Sequence, residues 1–171
     1  MASEAERQYG DFVVARVAPL VRFAFLLCGD WHRAEDTVQS ALVKLYLAWP
    51  RLDRRDAVEP YVRRIILRVL ADNGRLARFR KERLSDQLPE RAANDGSDAV
   101  DERMVLLSAL AALPPRQRAV VVLRFWEDQS IEQCADVLGC STGTVKSQAA
   151  RGLQTLRKLL GDQFLASKER G

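Results

Sequence analysis

Only one histidine, His32, and three cysteines, Cys28, Cys134 and Cys140, occur in this chain. That scarcity excludes much at the outset. No second histidine and no cysteine pair stands beside His32, so the residue types that hold zinc are not gathered, and no metal site is expected. The cysteines lack C-x-x-C spacing, and an odd number closes no disulfide framework. They read as ordinary thiols suited to core packing, with a redox pair of Cys134 and Cys140, which flank one turn, as the alternative. A P-loop, a carboxylate cluster and an activated nucleophile are all missing, so nothing in these residues points to a catalytic centre or a cofactor. No apolar run is long enough to span a bilayer and MASEAERQYG is no secretory leader, which places the chain in a cytoplasm, off the membrane. Alternating strand patterns bounded by hairpin turns are also lacking.

What is present is a chain of 171 residues, 47% hydrophobic and 29% charged, the composition of a soluble globular protein. Apolar residues recur at intervals of three and four nearly throughout, which predicts an all-α fold. The net charge of +4 is unevenly spread: residues 1 to 85 carry +5, residues 86 to 102 carry −5 and residues 103 to 171 carry +4. The acidic stretch SDQLPERAANDGSDAVDE, residues 85 to 102, contains Pro, Gly, Ser and Asn and no sustained apolar period. It reads as a linker between two small helical domains, residues 1–84 and 103–171. Basic blocks on either side point to nucleic acid, or to no more than a solvated cationic surface.

In the first domain, helices are expected near residues 4 to 28, from about 31 to 49, and from Pro60 onward, with Asn73-Gly74 as a candidate break in the third. The second helix has one apolar face, Ala34, Val38, Ala41, Leu42, Leu45 and Trp49. Opposite lie Asp36, Ser40, Val43, Lys44 and Leu47. The outward Val43 and Leu47 mark either a docking surface or the scattered apolar side chains that ordinary surfaces carry. A charged loop, PRLDRRDAVE, residues 50 to 59, precedes the third helix. That helix buries Val62, Ile65, Ile66 and Val69 and begins a run of eight cations between Arg63 and Arg83, near the rings of Trp49, Tyr61 and Phe79. Such a mixture grips phosphates and stacks unpaired bases, though a solvated basic face has the same composition.

In the second domain, Pro115 opens one helix, and Ser130 with Gln133 makes a capping box for a short helix containing Ile131, Ala135 and Leu138. Gly139-Cys140-Ser141 then turns into GTVKSQAARGLQTLRKLL, with Ser141 as its N-cap. Val145, Ala149, Leu153 and Leu156 face inward. The outward side holds Gly143, Ser147, Ala150, Arg151, Gln154 and Lys158, with Lys146 on the flank and no carboxylate. A short helix, a three-residue turn and an amphipathic helix make a helix-turn-helix, whose second helix lies in the major groove; an all-helical core also produces this pattern.

The chain resembles the sigma factors of the extracytoplasmic-function group, in their compact actinobacterial type, over nearly its whole length. In the first domain the resemblance rests on Asp30, Ala34-Glu35-Asp36, Gln39 and the YVRRI segment at residues 61 to 65. In the second it rests on Leu113-Pro114 with Arg118, on DQSIEQCADVLGCS at residues 128 to 141, and on GTVKS at residues 143 to 147. The resemblance implies a monomeric, non-catalytic subunit that binds core RNA polymerase through the beta-prime clamp helices and the beta flap, and directs it to promoter DNA. It implies that Asp36, Gln39, Ser40, Val43 and Leu47 dock on the clamp helices. It places Arg51, Arg54, Arg55, Tyr61, Arg64, Arg68 and Arg75 on the minus-10 element, where a flipped base must be held in a pocket. Ser141, Thr144, Lys146, Ser147, Ala150 and Arg151 would meet the minus-35 element, with Arg151 able to give two hydrogen bonds to a guanine edge. Many family members are held by an anti-sigma factor, so such a partner is admitted without being identified.

Some positions depart from the family pattern. Arg68 stands where asparagine is frequent and Tyr61 where tryptophan is. Gln148 replaces a common basic residue, and Ala150 a larger side chain. The competing reading is an autonomous helix-turn-helix regulator, which would need a dimer seam that the sequence does not display. A helical enzyme or scaffold finds no supporting cluster.

Overall fold

The computed structural model describes residues 1–83 and 98–161. Most of the expected linker therefore lies outside the described residues. Those residues form seven α-helices and two 3-10 turns, with no strand among them.

Helix α1 runs Glu4–Cys28. Its start is set by a reciprocal capping box: Ser3 Oγ accepts from the Glu6 amide at 3.2 Å, while the Glu6 carboxylate accepts from the Ser3 amide at 2.6 Å. Its end is set by Gly29, left-handed at φ 74°, whose N–H donates to the Phe25 carbonyl. Asp30 then caps α2 (Trp31–Ala48) by accepting from the Arg33 amide at 3.0 Å. Ala34, Val38, Ala41, Leu42 and Leu45 are all buried against α1 and α3, as the periodicity predicts. Trp49 has left the helix for a 3-10 turn, Trp49–Arg51. Its ring meets Tyr9 at 5.4 Å and Phe12 at 5.8 Å, so it belongs to the packing of α1 on α2 and is not held out for bases.

After a second 3-10 turn, Arg55–Ala57, α3 spans Val58–Arg83. Pro60 thus lies inside its first turn rather than opening it, where the missing N–H costs no helical bond. Asn73-Gly74 does not break the helix. A mid-helix glycine costs about 1 kcal/mol relative to alanine, and the buried row Val62, Ile65, Ile66 and Val69 outweighs that penalty.

The second unit contains α4 (Asp98–Ala112), α5 (Pro115–Phe125), α6 (Ile131–Leu138) and α7 (Thr142–Leu160). Helix α4 begins within the acidic stretch read as linker, at Asp98. Pro115 occupies the first position of α5, as expected. Arg118 ties off the end of α4: Nε donates to the Leu110 carbonyl at 2.7 Å, and Nη2 to Ala111 and Leu113 at 3.0 and 2.9 Å. These carbonyls lie at the end of α4, where helical partners run out, although the Leu110 carbonyl also accepts from the Leu113 amide at 3.1 Å. Its Nη1 reaches the Leu27 carbonyl of α1 at 2.8 Å, so one guanidinium joins the two units. Among the described residues no helix is long and apolar enough to cross a membrane.

Candidate nucleic-acid interface

The turn before α7 is built as the sequence indicates. Ser130 and Gln133 form a reciprocal capping box at the start of α6. Gly139, at φ 65°, ends that helix with its N–H on the Ala135 carbonyl. Ser141 Oγ then accepts from the Thr144 amide at 3.1 Å and lies 3.0 Å from Thr144 Oγ1. Ser141 and Thr144 are thereby engaged in capping. Val145 and Leu156 are fully buried, while Ala149 and Leu153 are half-buried at the edge of the same face. Opposite them Gly143, Lys146, Ser147, Ala150, Arg151, Gln154 and Lys158 are all exposed. Ser147 gives its hydroxyl proton to the Thr144 carbonyl at 3.0 Å, leaving its oxygen as an acceptor. Lys146 and Arg151 make no ion pair among the described residues and project freely from one side.

One glycine in α7 matters for how that side is presented. Gly152 is buried, and a Cβ placed there would lie 2.6 Å from Val121 Cγ2 of α5. The absent side chain lets α7 lie close on α5, which props the exposed face outward. The periodicity alone could have flagged it, since Gly152 falls between the inward Ala149 and Leu156.

In the first unit, Arg54, Tyr61 and Arg64 line one groove of about 370 Å³ together with Asp56, Ala57 and Pro60. A second groove of about 480 Å³ gathers Arg64 and Arg68 with Leu67, Ala71 and Arg116. Arg51 is exposed on the loop and lines neither. The side chains of Arg55, Arg75 and Phe79 lie outside the described residues. Across both grooves the facing wall includes Asp136 of α6, whose carbonyl accepts from Arg64 Nη2 at 2.7 Å.

Arg63, counted among the cations of this helix, does not belong to its exposed side. It is buried and pairs with Glu59 at 3.3 Å and with Glu127 at 2.8 Å. Glu59 also pairs with Arg16 of α1. The spacing of Glu59 and Arg63, four apart on one helix, was the available signal for the first of these pairs. No signal in the sequence links Arg63 to a residue 64 positions on.

The outward face of α2 stands clear of the fold. Asp36, Gln39, Ser40, Val43 and Leu47 are all exposed, Val43 at 60% and Leu47 at 68%. Tyr46 adds an exposed aromatic ring nearby, although its edge packs on Tyr9 at 5.1 Å. Two large aliphatic side chains thus lie open beside a carboxylate, on a helix whose other face is packed.

Residues 13–83 match the sigma-70 region 2 family, and residues 103–156 match sigma-70 region 4. The RNA polymerase sigma-E factor of Streptomyces avermitilis is 35% identical over 168 residues, covering 98% of this chain and 93% of its own. The ECF RNA polymerase sigma factor SigL of Mycobacterium tuberculosis is 34% identical over 150 residues, covering 84% and 83%. Among solved structures, the sigma factor RpoE of Bartonella quintana, crystallised with the anti-sigma factor NepR, superposes with a TM-score of 0.74 at 22% identity, over 91% of this chain and 98% of that one. Two family regions in their proper order, on helices that build a helix-turn-helix and an open α2 face, lead to one conclusion: the chain belongs to the sigma-70 family, in its extracytoplasmic-function group, and directs promoter-specific initiation by RNA polymerase.

Proposed function

We propose a division of labour among three surfaces. The outward face of α2, with Asp36, Gln39, Ser40, Val43 and Leu47, docks on the clamp helices of core polymerase. The loop before α3 and the outer side of that helix, through Arg51, Arg54, Arg55, Tyr61, Arg64, Arg68 and Arg75, hold the minus-10 element and its flipped base. The exposed side of α7 reads the minus-35 element, Arg151 on base edges and Lys146 with Ser147 on phosphates. Residues 1–84 and 103–171 act as the two modules, tethered by the acidic residues 85–102, of which residues 98–102 already form the start of α4.

The observation that carries this reading is the outward face of α7, where exposed donors follow one another without a carboxylate. Such a face repels no phosphate and fits the major groove. Arg68, where the family often has asparagine, adds backbone attraction while losing amide contacts to bases, so the minus-10 preference is expected to be this protein's own. The subunit performs no chemistry itself; phosphodiester formation and its magnesium belong to the core enzyme. It works in the cytoplasm as a monomer until it meets core polymerase, and an anti-sigma factor is its expected regulator, by analogy with the Bartonella protein bound to NepR.

Reconstituted transcription with core polymerase on a randomised promoter library, read by sequencing, tests the reading. Transcripts should require both a minus-35 and a minus-10 motif. Binding to a palindromic duplex as a dimer, without core polymerase, would overturn it.

A further inference from the structure

We infer that the cleft where the end of α1 and the second half of α3 meet α5 and α6 binds a small amphiphilic anion, a single aliphatic chain with a carboxylate head. This goes beyond promoter recognition and does not depend on which surface holds DNA. The cleft has a volume of about 510 Å³, inside the range of about 300 to 1,000 Å³ usual for small-molecule sites. Its lining divides by chemistry. Leu27 of α1, Leu67 and Leu70 of α3 and Leu138 of α6 supply an aliphatic floor. Leu27 is buried, whereas Leu67, Leu70 and Leu138 are half-buried, so each of these keeps apolar surface that a ligand can cover.

Three guanidiniums, Arg33, Arg116 and Arg118, line the same cleft, and no carboxylate does. Arg33 and Arg116 make no ion pair and no side-chain hydrogen bond among the described residues. Arg118 spends Nε and Nη2 on the end of α4 and one Nη1 hydrogen on the Leu27 carbonyl, which leaves its other Nη1 hydrogen for a ligand. Burial pulls the Arg118 guanidinium below the usual arginine value; the neighbouring Cys28 thiol works the other way, and repulsion from Arg33 adds to the effect of burial. Nearby acids are engaged elsewhere. Asp30 caps α2 through the Arg33 amide, and Asp136 lines the adjoining groove with Arg64 and Arg68. An anion in the cleft would therefore offset an uncompensated repulsion, and a cation would add to it.

The rest of the lining decides what kind of anion. It contains no aromatic ring, no amide side chain and no hydroxyl, so nothing there could stack a nucleobase or read its edge. The Cys28 thiol donates to the Asp30 carbonyl at 3.4 Å. Its sulfur then acts as soft apolar surface continuous with the leucines. An aliphatic floor under a cationic rim complements a fatty-acid carboxylate, which a guanidinium can grip with two hydrogen bonds. A nucleotide would leave its base unread, and a neutral lipid would leave the arginines unmatched. Because α1 and α3 contribute to the cleft together with α5 and α6, an occupant contacts both helical units and raises the unfolding temperature of the chain by mass action.

The test titrates the full chain with sodium laurate, kept below its micelle concentration, by isothermal calorimetry and by thermal unfolding. Laurate should bind at a single site and raise the unfolding temperature. Acetate carries the head without the chain, and dodecyltrimethylammonium the chain with the opposite charge; neither should bind or stabilise. Arg33→Ala combined with Arg116→Ala should weaken laurate binding about tenfold at unchanged helical content, since both side chains stand at the rim without partners. Ala71→Trp, on the exposed lip of the cleft, should abolish binding by filling it. Equal binding of laurate and dodecyltrimethylammonium, or laurate affinity unmoved in both variants, overturns the site. Capture by anionic phospholipid vesicles without any response to laurate monomers would also overturn it, in favour of a membrane surface.

Discussion

Gly152 of α7 and Val121 of α5 approach so closely that the smallest added side chain would meet the valine methyl at 2.6 Å. Both residues are buried, and Val121 sits among Val120, Val122 and Leu123 in the packed centre of the second unit, where it has little room to yield. Gly152→Ala should therefore destabilise the chain by about 1 to 3 kcal/mol through overpacking, despite the gain in helix propensity. Gly143→Ala is the control, since its nearest neighbour is Ser141 Oγ at 3.8 Å. It should leave stability unchanged or raise it in urea unfolding.

Arg151 is exposed and unpaired on the outward face of α7. Arg151→Ala should weaken the preference for the correct minus-35 sequence by roughly 1 to 3 kcal/mol if the guanidinium is bidentate to a base. Competition between correct and altered minus-35 promoters in reconstituted transcription measures this. An unchanged preference would falsify the assignment.

The α2 patch is solvent-facing, so substitutions there should spare the fold. Asp36→Arg and Leu47→Asp are each expected to abolish association with core polymerase while circular dichroism remains that of the native chain. Normal association at native helical content would remove α2 from the polymerase interface.

Burial pushes the Cys134 thiol up to about 11, from an ordinary value of 9.0. The folded state thus favours the protonated form. The stability this group contributes is fully present below pH 9.0 and is lost as pH rises toward 11, because the unfolded chain ionises first. Urea midpoints should fall across that window by more in wild type than in Cys134→Ala. Alkylation at neutral pH should reach Cys134 only on unfolding, which argues against the redox pairing with Cys140. Rapid native-state labelling at Cys134 would contradict this.

Much of the architecture is legible along the chain because its causes are local. Ser3, Asp30, Ser130 and Ser141 cap the helices they precede, and Gly29 and Gly139 end the helices before them. Each acts within four residues, the range over which a helix end must find partners for its free amides and carbonyls. The faces of α2 and α7 follow equally from periodicity, because core and solvent sort a regular helix by residue type. Where reading failed, the deciding force came from elsewhere. Asn73-Gly74 has the composition of a break, yet α3 continues, because packing upstream of it outweighs local propensity. Trp49 has the chemistry of a base-stacking ring, yet Tyr9 and Phe12 claim it.

From sequence alone come six of the seven helices, the caps Ser130 and Ser141, the exposed donors of α7 and the open face of α2, since all depend on neighbours within a turn or two, whereas α4 is hidden in part by the acidic stretch read as linker. Tertiary structure decided which cations are free. Arg63 and Arg64 are adjacent and chemically identical, but α3 turns about 100° per residue. One guanidinium is carried into a buried network with Glu59 and Glu127, the other onto the rim of a groove against Asp136. That difference depends on an acid 64 residues away, and no local pattern records it.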